Sequence, residues 1–573
     1  MATEDQTRRN FIIKSAAIAA IGAATATVPS VAAPSRETTP PTSPVHPPSD
    51  TISASTLQHA EKLAGITFTP SERKQMLNTI DEQRSVLAAR LARGTIPNHI
   101  PPATIFNAQL SGTTVDRATP SGDPWNNLPN ARSCPTDDLD LAFAPVWQLG
   151  QWLRKREVTS KHLTRLSLSR LKKYNPTLNC VITLTEDLAM KQADLADREL
   201  DAGQWRGPLH GVPWGAKDIM DTAGIVTTWG AAAYKDRVPD EDAFVVKRLE
   251  QAGAVLVAKL AVGALAYGDI WFGGTCKNPF DPEEGSSGSS AGSASATAAG
   301  LIPFTLGTET YGSIVSPCMR CGATGLRPTF GRVARNGVMA LCWTLDKIGP
   351  ICRTVLDTAL VLRAINGSDP LDPCSIDQPF TFDPADSVRG LRLGYHPASL
   401  TGKHDLAALH AAKTCGATIV EVEKLDIDNT PLLIPLFVEA AAAFEELTRS
   451  DQDDLLSWQD DEAWPNSFRQ SWFIPAVELV QASRVRRQIM EEMHTWMNDK
   501  VDAIICPAFD DLLLITNATG HPSLVMRTAM QENGKPIGTT LIGRLFDEGT
   551  LCRLGMAIEA ILGVAFTRPP LTT

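Results

Sequence analysis

The sequence predicts an α/β fold built on a largely buried sheet. From about residue 140 onward, helical and strand-like patterns alternate along the chain. In residues 242–260, DAFVVKRLEQAGAVLVAKL, apolar side chains recur at helical spacing, Gly253 ends the helix, and AVLVA follows as a continuous apolar run. LNCVITLT and VDAIICPAF contain similar runs, each typical of a buried strand. Such alternation is typical of a sheet whose faces are covered by helices.

Composition limits the classes of partner. The chain has 573 residues, of which 43% are hydrophobic, and a formal net charge of −11. This is ample for a large core. An acidic balance without a basic stripe argues against nucleic acid or an anionic membrane as the main partner. The body of the chain contains no run of eighteen apolar residues, so no transmembrane helix is predicted there.

Metal and cofactor chemistry is not predicted either. The 11 cysteines are scattered without CxxC or Cys/His spacing, so buried reduced thiols are expected rather than a disulfide framework. HExxH, P-loop and dinucleotide-binding fingerprints are all missing from the sequence. We therefore expect an activity that depends on side chains alone.

The first 55 residues have the layout of an export signal and a tether. Residues 1–33 contain the pair Arg8 and Arg9, then a short apolar stretch that ends in small residues. This is the pattern of a twin-arginine signal, and it predicts a periplasmic or extracellular protein. The alternative is a short membrane anchor that is never cleaved. Residues 34–55 are proline-rich and read as an extended linker.

Residues 56–135 read as a helical extension and a connection before the main domain at 136–570. Thr69-Pro70-Ser71-Glu72 predicts a capping box with proline at the first helical position, followed by one helix that stops at Gly94. Residues 97–135 are rich in Pro, Asn, Gly and Asp, as in a long connection. An acidic segment at 450–475 is expected to be a helical surface insertion.

Residues 285–300, GSSGSSAGSASATAAG, raise the possibility of an active site. A linker is disfavoured because ASATAAGLIPFTLG predicts a helix packed through small residues and then a strand. A helix over 289–300 rises roughly 18 Å. A strand over 301–306 returns roughly 20 Å. The loop at 307–313 would then lie beside the first serines, so that Ser289 and Ser313 could meet.

Two kinds of catalytic base are compatible with this geometry. Residues 288–292 match GxSxG with Ser290 in the middle, which would suggest an esterase elbow with a later histidine. However, the preceding NPFDPEEGSS reads as loop rather than as the required buried strand. The second base is Lys217 in HGVPWGAKDIMDTAG, where desolvation by apolar neighbours would lower the lysine pKa. The alternative for Lys217 is a surface lysine paired with Asp218 or Asp221.

Three stretches together resemble the amidase signature family. They are GVPWGAKDIMDTAG, GSSAGSASATAAGLIPFTLGTETYGSIVSP and CGATGLRPTFGRVARNGVMALCWTLDKIGPICRTV, within a resemblance that spans about residues 140–565. It implies a single domain with a large, mixed, twisted sheet sandwiched by helices. It also implies a Ser–Ser–Lys triad in which Ser313 is the nucleophile, Ser289 is the bridging serine after a cis peptide bond, and Lys217 is the base. The backbone of Thr310, Tyr311 and Gly312 would bind the oxyanion.

The chain departs from the family near the nucleophile. Many relatives read GTDxGGSIRxPA, whereas this chain has Glu309, Tyr311 and Val315 at the Asp, first Gly and Arg positions. Tyr311 is expected to reshape the pocket, and Val315 separates the chain from the A subunits of tRNA-dependent amidotransferases. Several further residues have expected roles near these motifs: Trp214, Trp271 and Trp343 in the core or pocket, Asp346 as a structural residue, and Arg320 and Arg327 as loop braces.

The sequence therefore predicts an exported amidase that hydrolyses a carboxylic or peptide-terminal amide of a small molecule through a serine acyl-enzyme. Two alternatives remain open. One is an amidotransferase A-type subunit that releases ammonia from glutamine with a partner subunit. The other is a catalytically inactive exported binding protein, against which the intact Lys217, Ser289 and Ser313 argue.

Overall fold

The fold is a mixed α/β structure centred on one large sheet. The computed structural model describes residues 52–94, 96–113, 127–498 and 500–572. The predicted export signal and almost all of the predicted linker lie outside the described residues. Among the described residues, no helix combines the length and the hydropathy that a membrane span requires.

Helices and strands alternate over most of the described chain. The helices are α1 (Ala54–Ala64), α2 (Pro70–Leu77), α3 (Ile80–Leu91), α4 (Asp138–Ala142), α5 (Val146–Arg154), α6 (Ser160–Leu178), α7 (Glu186–Asp201), α8 (Phe244–Gln251), α9 (Ala291–Ala298), α10 (Val315–Cys321), α11 (Val355–Ile365), α12 (Lys403–Thr414), α13 (Leu433–Ala443), α14 (Glu445–Arg449), α15 (Trp464–Ser471), α16 (Ala476–Asn498), α17 (Leu512–Thr519) and α18 (Glu548–Leu562). The strands are β1 (Val181–Leu184), β2 (Pro213–Lys217), β3 (Val255–Leu260), β4 (Ile270–Trp271), β5 (Gly274–Thr275), β6 (Lys277–Asn278), β7 (Asp281–Gly285), β8 (Phe304–Glu309), β9 (Thr324–Arg327), β10 (Lys347–Cys352), β11 (Arg392–Tyr395), β12 (Thr418–Glu421), β13 (Ala503–Pro507), β14 (Ser523–Met530) and β15 (Pro536–Gly543).

Eleven of these strands form the central sheet, in the order β1-β3-β2-β8-β10-β9-β14-β15-β13-β11-β12. Strand β2 pairs in parallel with β3 and β8, whereas β8, β10, β9, β14 and β15 pair antiparallel in sequence along the sheet. The expected α/β class and mixed sheet are therefore confirmed. The three apolar runs that predicted buried strands form β1, β3 and β13. Strand β3 is fully buried and β13 nearly so, whereas Val181 is the one buried residue of β1.

The glycine-serine stretch forms a helix in tight contact with the sheet. Every residue of α9 is buried. At Gly292 the helix approaches so closely that an added Cβ would lie 2.3 Å from the Cys180 carbonyl oxygen and 2.5 Å from the Ala261 nitrogen. Strand β8 then runs parallel to β2, with Ala216 opposite Leu306. Small side chains thus let the helix and its preceding loop lie directly beside the end of β2.

The predicted N-terminal helix is two helices rather than one. The capping box forms as predicted, because Thr69 N–H donates to Glu72 at 2.6 Å and Glu72 N–H donates to the Thr69 hydroxyl at 3.3 Å. Helix α2 nevertheless ends at Leu77, and Thr79 has a non-helical backbone (φ −126°, ψ −2°) before α3 begins. Helical periodicity alone did not indicate this break.

The acidic segment at 450–475 packs partly into the core and is not only a surface insertion. Its helix α15 buries Trp464 and Phe468, whose rings stack with centroids 5.1 Å apart. The indole N–H of Trp464 donates to the carbonyl of Leu265 at 3.0 Å. The segment therefore contributes to the main core as well as to the surface.

Replacing Gly292 with alanine should destabilise the fold, because the new methyl group would overlap the backbone of two neighbouring segments. We expect a loss of about 1–3 kcal/mol in the free energy of unfolding, and a larger loss for valine. Urea unfolding followed by circular dichroism measures both. An unchanged midpoint for both variants would contradict this close approach.

Candidate active site

Lys217 is the last residue of β2, and its side chain is completely buried. Its Nζ donates to Ser289 Oγ at 2.8 Å, to Thr308 Oγ1 at 2.8 Å and to Ser290 Oγ at 3.2 Å. All three partners are neutral hydroxyl groups. The lysine is therefore held in position without an ion pair.

Burial shifts the Lys217 pKa towards neutrality. Loss of hydration destabilises the ammonium form and lowers the pKa to about 7, against an opposing effect from the carboxylates of Asp346 and Glu309. A substantial fraction of neutral amine is thus present near pH 7. A neutral lysine within hydrogen-bond reach of a serine is a suitable general base.

The carboxylates closest to Lys217 in sequence are paired with other residues. Asp218 lies 3.1 Å from Lys259 Nζ in a fully buried ion pair, and Asp221 lies 2.6 Å from Arg237. The alternative of a surface lysine paired with Asp218 or Asp221 is therefore wrong.

The loop before α9 carries Ser289 and Ser290 to the end of β2. The peptide bond between Gly288 and Ser289 is cis, as the family resemblance implied. The Ser290 N–H donates to the carbonyl of Ser313 at 3.2 Å. The two serine loops are therefore adjacent, as the helix and strand lengths predicted.

Ser313 lies at this junction, but its hydroxyl is not hydrogen-bonded to Ser289. Its side chain is buried, with 8% of the residue exposed, and the hydroxyl has no hydrogen-bond partner among the described residues. The N–H groups of Tyr311, Gly312 and Ser313 likewise donate to no acceptor in the part of the chain that the structure describes. A short loop with three free N–H groups is suited to binding a developing oxyanion.

Strand β8 begins and ends three residues later than predicted. It covers Phe304–Glu309 rather than 301–306, so the loop begins at Thr310. This later position of the strand places Thr308 in the sheet next to Lys217. The sequence did not identify Thr308 as a site residue, because its contact with Lys217 follows only from the register between β2 and β8.

Glu309 fixes the end of the Ser313 loop through hydrogen bonds to the backbone that follows Ser313. Its carboxylate accepts the N–H groups of Ile314 at 2.8 Å and Val315 at 2.9 Å, and pairs with Arg327 at 2.6 Å. Asn517 donates to the same carboxylate at 2.8 Å. Burial opposes ionisation of Glu309, but Arg327 and these donors outweigh it and hold the pKa below its ordinary value. Arg327 is thus a loop brace, as expected.

Asp346 organises the other side of the loop. Its carboxylate accepts the Thr310 hydroxyl at 2.6 Å and the N–H groups of Leu341 at 2.8 Å and Cys342 at 3.0 Å. The Thr310 side chain therefore points to Asp346 and fixes the start of the Ser313 loop.

The esterase elbow does not fit the surroundings of Ser290. Its hydroxyl binds Lys217 Nζ and also bonds both the N–H and the carbonyl of Thr308 at 3.1 Å, so no histidine is among its partners. The preceding residues are not all loop: β7 covers Asp281–Gly285, but it pairs only with β6 in a separate hairpin. The structural context required for an elbow is therefore missing.

A cavity adjoins the Lys217 site on the side of Thr308 and Thr310. Its volume is about 630 Å³, including space open to solvent. Trp343 lines this cavity, whereas Trp214 and Trp271 are buried in the core. Tyr311 packs against two apolar clusters, one of which contains Ala508 and Leu513, and does not line the cavity. The expected effect of Tyr311 on the pocket near Ser313 stays a prediction, because Ser313 does not line this cavity either.

Comparisons with known proteins agree on one family. The family model described as Amidase matches residues 162–511. The A subunit of glutamyl-tRNA(Gln) amidotransferase from Roseiflexus sp. (strain RS-1) is 34% identical over 462 residues, covering 71% of this chain and 94% of that protein. The protein of the same name from Hahella chejuensis is 32% identical over 457 residues, covering 70% of this chain and 94% of that protein. The peptide amidase of Stenotrophomonas maltophilia has a similar structure, with a TM-score of 0.68 and 28% identity over 75% of this chain and 99% of that one.

Replacing Glu309 with alanine should leave the Arg327 charge buried without its partner. We expect the free energy of unfolding to fall by about 3–5 kcal/mol, as for other broken buried pairs. Urea unfolding measures this change. A matched control is Glu491→Ala, which removes an exposed partner of Arg487 and should cost no more than about 0.5 kcal/mol. Equal effects of the two substitutions would contradict a bracing role for Glu309.

Proposed function

Because the chain belongs to the amidase family, whose members act on C–N amide bonds, we propose that it hydrolyses a small-molecule amide through an acyl-enzyme on Ser313. The substrate class is a carboxylic or peptide-terminal amide. The observation that carries this proposal is the 2.8 Å contact between Lys217 Nζ and Ser289 Oγ, in a site where the lysine has only hydroxyl partners. The likeness to a peptide amidase supports the same substrate class.

The proposed reaction begins with a proton relay. Neutral Lys217 takes the proton of Ser289, which takes the proton of Ser313 as the Ser313 oxygen attacks the amide carbonyl carbon. The relay requires a contact between the hydroxyls of Ser289 and Ser313. Catalytic hydrogen bonds often tighten only when substrate is bound, so we expect this contact in the substrate complex.

The second half of the reaction returns the proton and releases the product. Negative charge on the carbonyl oxygen is stabilised by the free N–H groups of the Tyr311–Ser313 loop. The C–N bond breaks as the proton passes from Lys217 through Ser289 to the leaving nitrogen, which departs as ammonia or an amine. Water then attacks the Ser313 ester by the same relay, releasing the carboxylic acid and restoring the serine.

A second candidate is an amidotransferase A-type subunit that releases ammonia from glutamine. The amidotransferase proteins among the curated relatives, each about one-third identical over most of its length, favour this candidate. It would use the same Ser313 chemistry and would require a partner subunit. Val315, in place of the arginine usual in such subunits, argues for the first candidate. Export, proposed from the pattern in residues 1–33, argues in the same direction.

Ser313→Ala should abolish amide hydrolysis, with a loss of at least about 10³-fold in kcat, because it removes the hydroxyl that forms the acyl-enzyme. In the wild-type protein, a fluorophosphonate should label Ser313, as mapped by mass spectrometry. Lys217→Ala is the control and should reduce the labelling rate. Release of ammonia from a panel of amides that includes glutamine identifies the substrate.

Each outcome of this experiment has a distinct meaning. Label on Ser290 would refute the proposed relay. Hydrolysis of glutamine alone would favour the amidotransferase candidate. An unlabelled protein that hydrolyses no amide in the panel would support the inactive binding protein.

The pH dependence should follow the Lys217 pKa of about 7. Only the neutral amine can accept a proton, so kcat/KM should fall as the pH is lowered through about 7 and reach a plateau above it. Asp346→Asn removes a negative charge that favours the ammonium form, so the pKa of Lys217 should fall and the acid limb should move to lower pH. The exposed Asp81→Asn is the control and should leave the limb in place. An acid limb that moves to higher pH would contradict the assignment of Lys217 as the base.

A further inference from the structure

We propose that residues 96–101 form one wall of the substrate cavity and that Asn98 and His99 determine which acyl groups the enzyme accepts. This inference rests on the proposed amide hydrolysis and adds to it a class of acyl group. Residues 96–113, which we call the strap, precede the region that matches the family model. They contain no helix or strand.

The near end of the strap is fixed by a two-way hydrogen bond. The Asn98 side chain donates to the Ala340 carbonyl at 2.8 Å and accepts the Ala340 N–H at 2.8 Å. The indole N–H of Trp343 donates to the Asn98 carbonyl at 3.3 Å. Asn98 thus binds the strap to the segment that also carries the cavity residues Met339 and Trp343.

A turn next to this anchor places His99 at the cavity. The N–H of Ile100 donates to the carbonyl of Pro97 at 3.0 Å, which closes the turn. Asn98, His99 and Pro101 all line the cavity, whereas Ile100 does not. The turn therefore gives His99 a defined position although the residue is exposed.

The far end of the strap is anchored in a separate part of the core. The ring of Phe106 packs edge-on against Phe330, with centroids 5.0 Å apart, and the guanidinium of Arg486 lies 3.4 Å from the Phe106 ring centroid. Ala108 is buried close to Gly520. With both ends fixed, the segment between them is held against the cavity.

The wall belongs to a cavity that reaches the proposed site through Thr308 and Thr310, and Ser313 itself is not part of its lining. Thr308 and Thr310 line the same space, and they contact Lys217 and begin the Ser313 loop, respectively. A substrate bound at Ser313 can therefore extend towards the strap. A side chain in the strap would contact the part of the acyl group that is remote from the scissile bond.

The charged groups of the cavity are already engaged. Arg335 pairs with Asp372 at 3.0 Å, and Asp346 accepts three hydrogen bonds from its own surroundings. Lys347 donates to the carbonyls of Leu345 and Asn517. Much of the remaining lining is apolar, including Ile219, Val338, Met339, Leu341 and Trp343. These groups favour an uncharged acyl group with an apolar body, which a cavity of this kind binds through buried apolar surface.

The test compares two fluorophosphonates, one with a methyl group and one with a hexyl group, by their rates of labelling Ser313. Wild-type protein should react faster with the hexyl probe. Asn98→Ala and His99→Ala should each lower the hexyl-to-methyl rate ratio by about tenfold, in the range that a few lost apolar contacts supply. The control Ile100→Ala alters an exposed strap residue that does not line the cavity and should preserve the ratio.

A ratio that stays unchanged in both variants, or a parallel loss with both probes, would overturn the role of the strap. Thermal melting of each variant verifies that it is folded. A second readout does not require a reactive serine. Calorimetry measures how tightly the Ser313→Ala protein binds 4-phenylbutanamide and an analogue of this amide that carries a carboxylate on its phenyl ring. Preferential binding of the uncharged amide, weakened by Asn98→Ala, supports the inference. No binding, or preference for the charged amide, overturns it. Absence of wild-type labelling instead counts against the proposed function.

Discussion

The site depends on the side-chain nitrogen of Lys217, which is held away from both water and ion-pair partners. Lys217 and Lys259 are both fully buried and lie on neighbouring strands, yet their surroundings differ in kind. Lys259 faces the carboxylate of Asp218, whereas Lys217 faces only hydroxyl groups. Because burial of an unpaired charge is costly, the ammonium form of Lys217 is destabilised and its pKa is lowered. The fold therefore provides a structural lysine and a base from the same residue type.

The position of this base is built by close approach of backbone segments. The small residues of α9 bring Ser289 and Ser290 to the end of β2, and β8 brings Thr308 to the same point. The Ser313 loop is then held independently by the carboxylates of Glu309 and Asp346. Two rigid supports acting on one short loop leave its free N–H groups oriented without substrate, which is the preorganisation that charge stabilisation requires.

Much of this arrangement was predictable from local sequence patterns. Apolar runs identified β1, β3 and β13, and the lengths of α9 and β8 predicted that the loops of Ser289 and Ser313 would meet. Thr308 was not predictable, because its contact with Lys217 depends on strand register, which a single sequence does not encode locally. The break at Thr79 was missed although Asn78 and Thr79 are weak helix formers, because intrinsic propensity is only a weak guide to where a helix ends. The anchoring of Asn98 on Ala340 joins segments 242 residues apart, and no periodicity connects them.

The burial of the cysteine thiols determines how the protein responds to an oxidising or a reducing environment. All eleven thiols are free, and nine are buried. Burial raises the pKa of Cys180 to about 12, and it shifts the pKa of the other buried thiols for which a change is resolved in the same direction. Protonated sulfur is a poor nucleophile and is slow to oxidise. The described structure thus contains no disulfide, and because its nine buried thiols react slowly with oxidants we expect the same core in an oxidising and in a reducing medium.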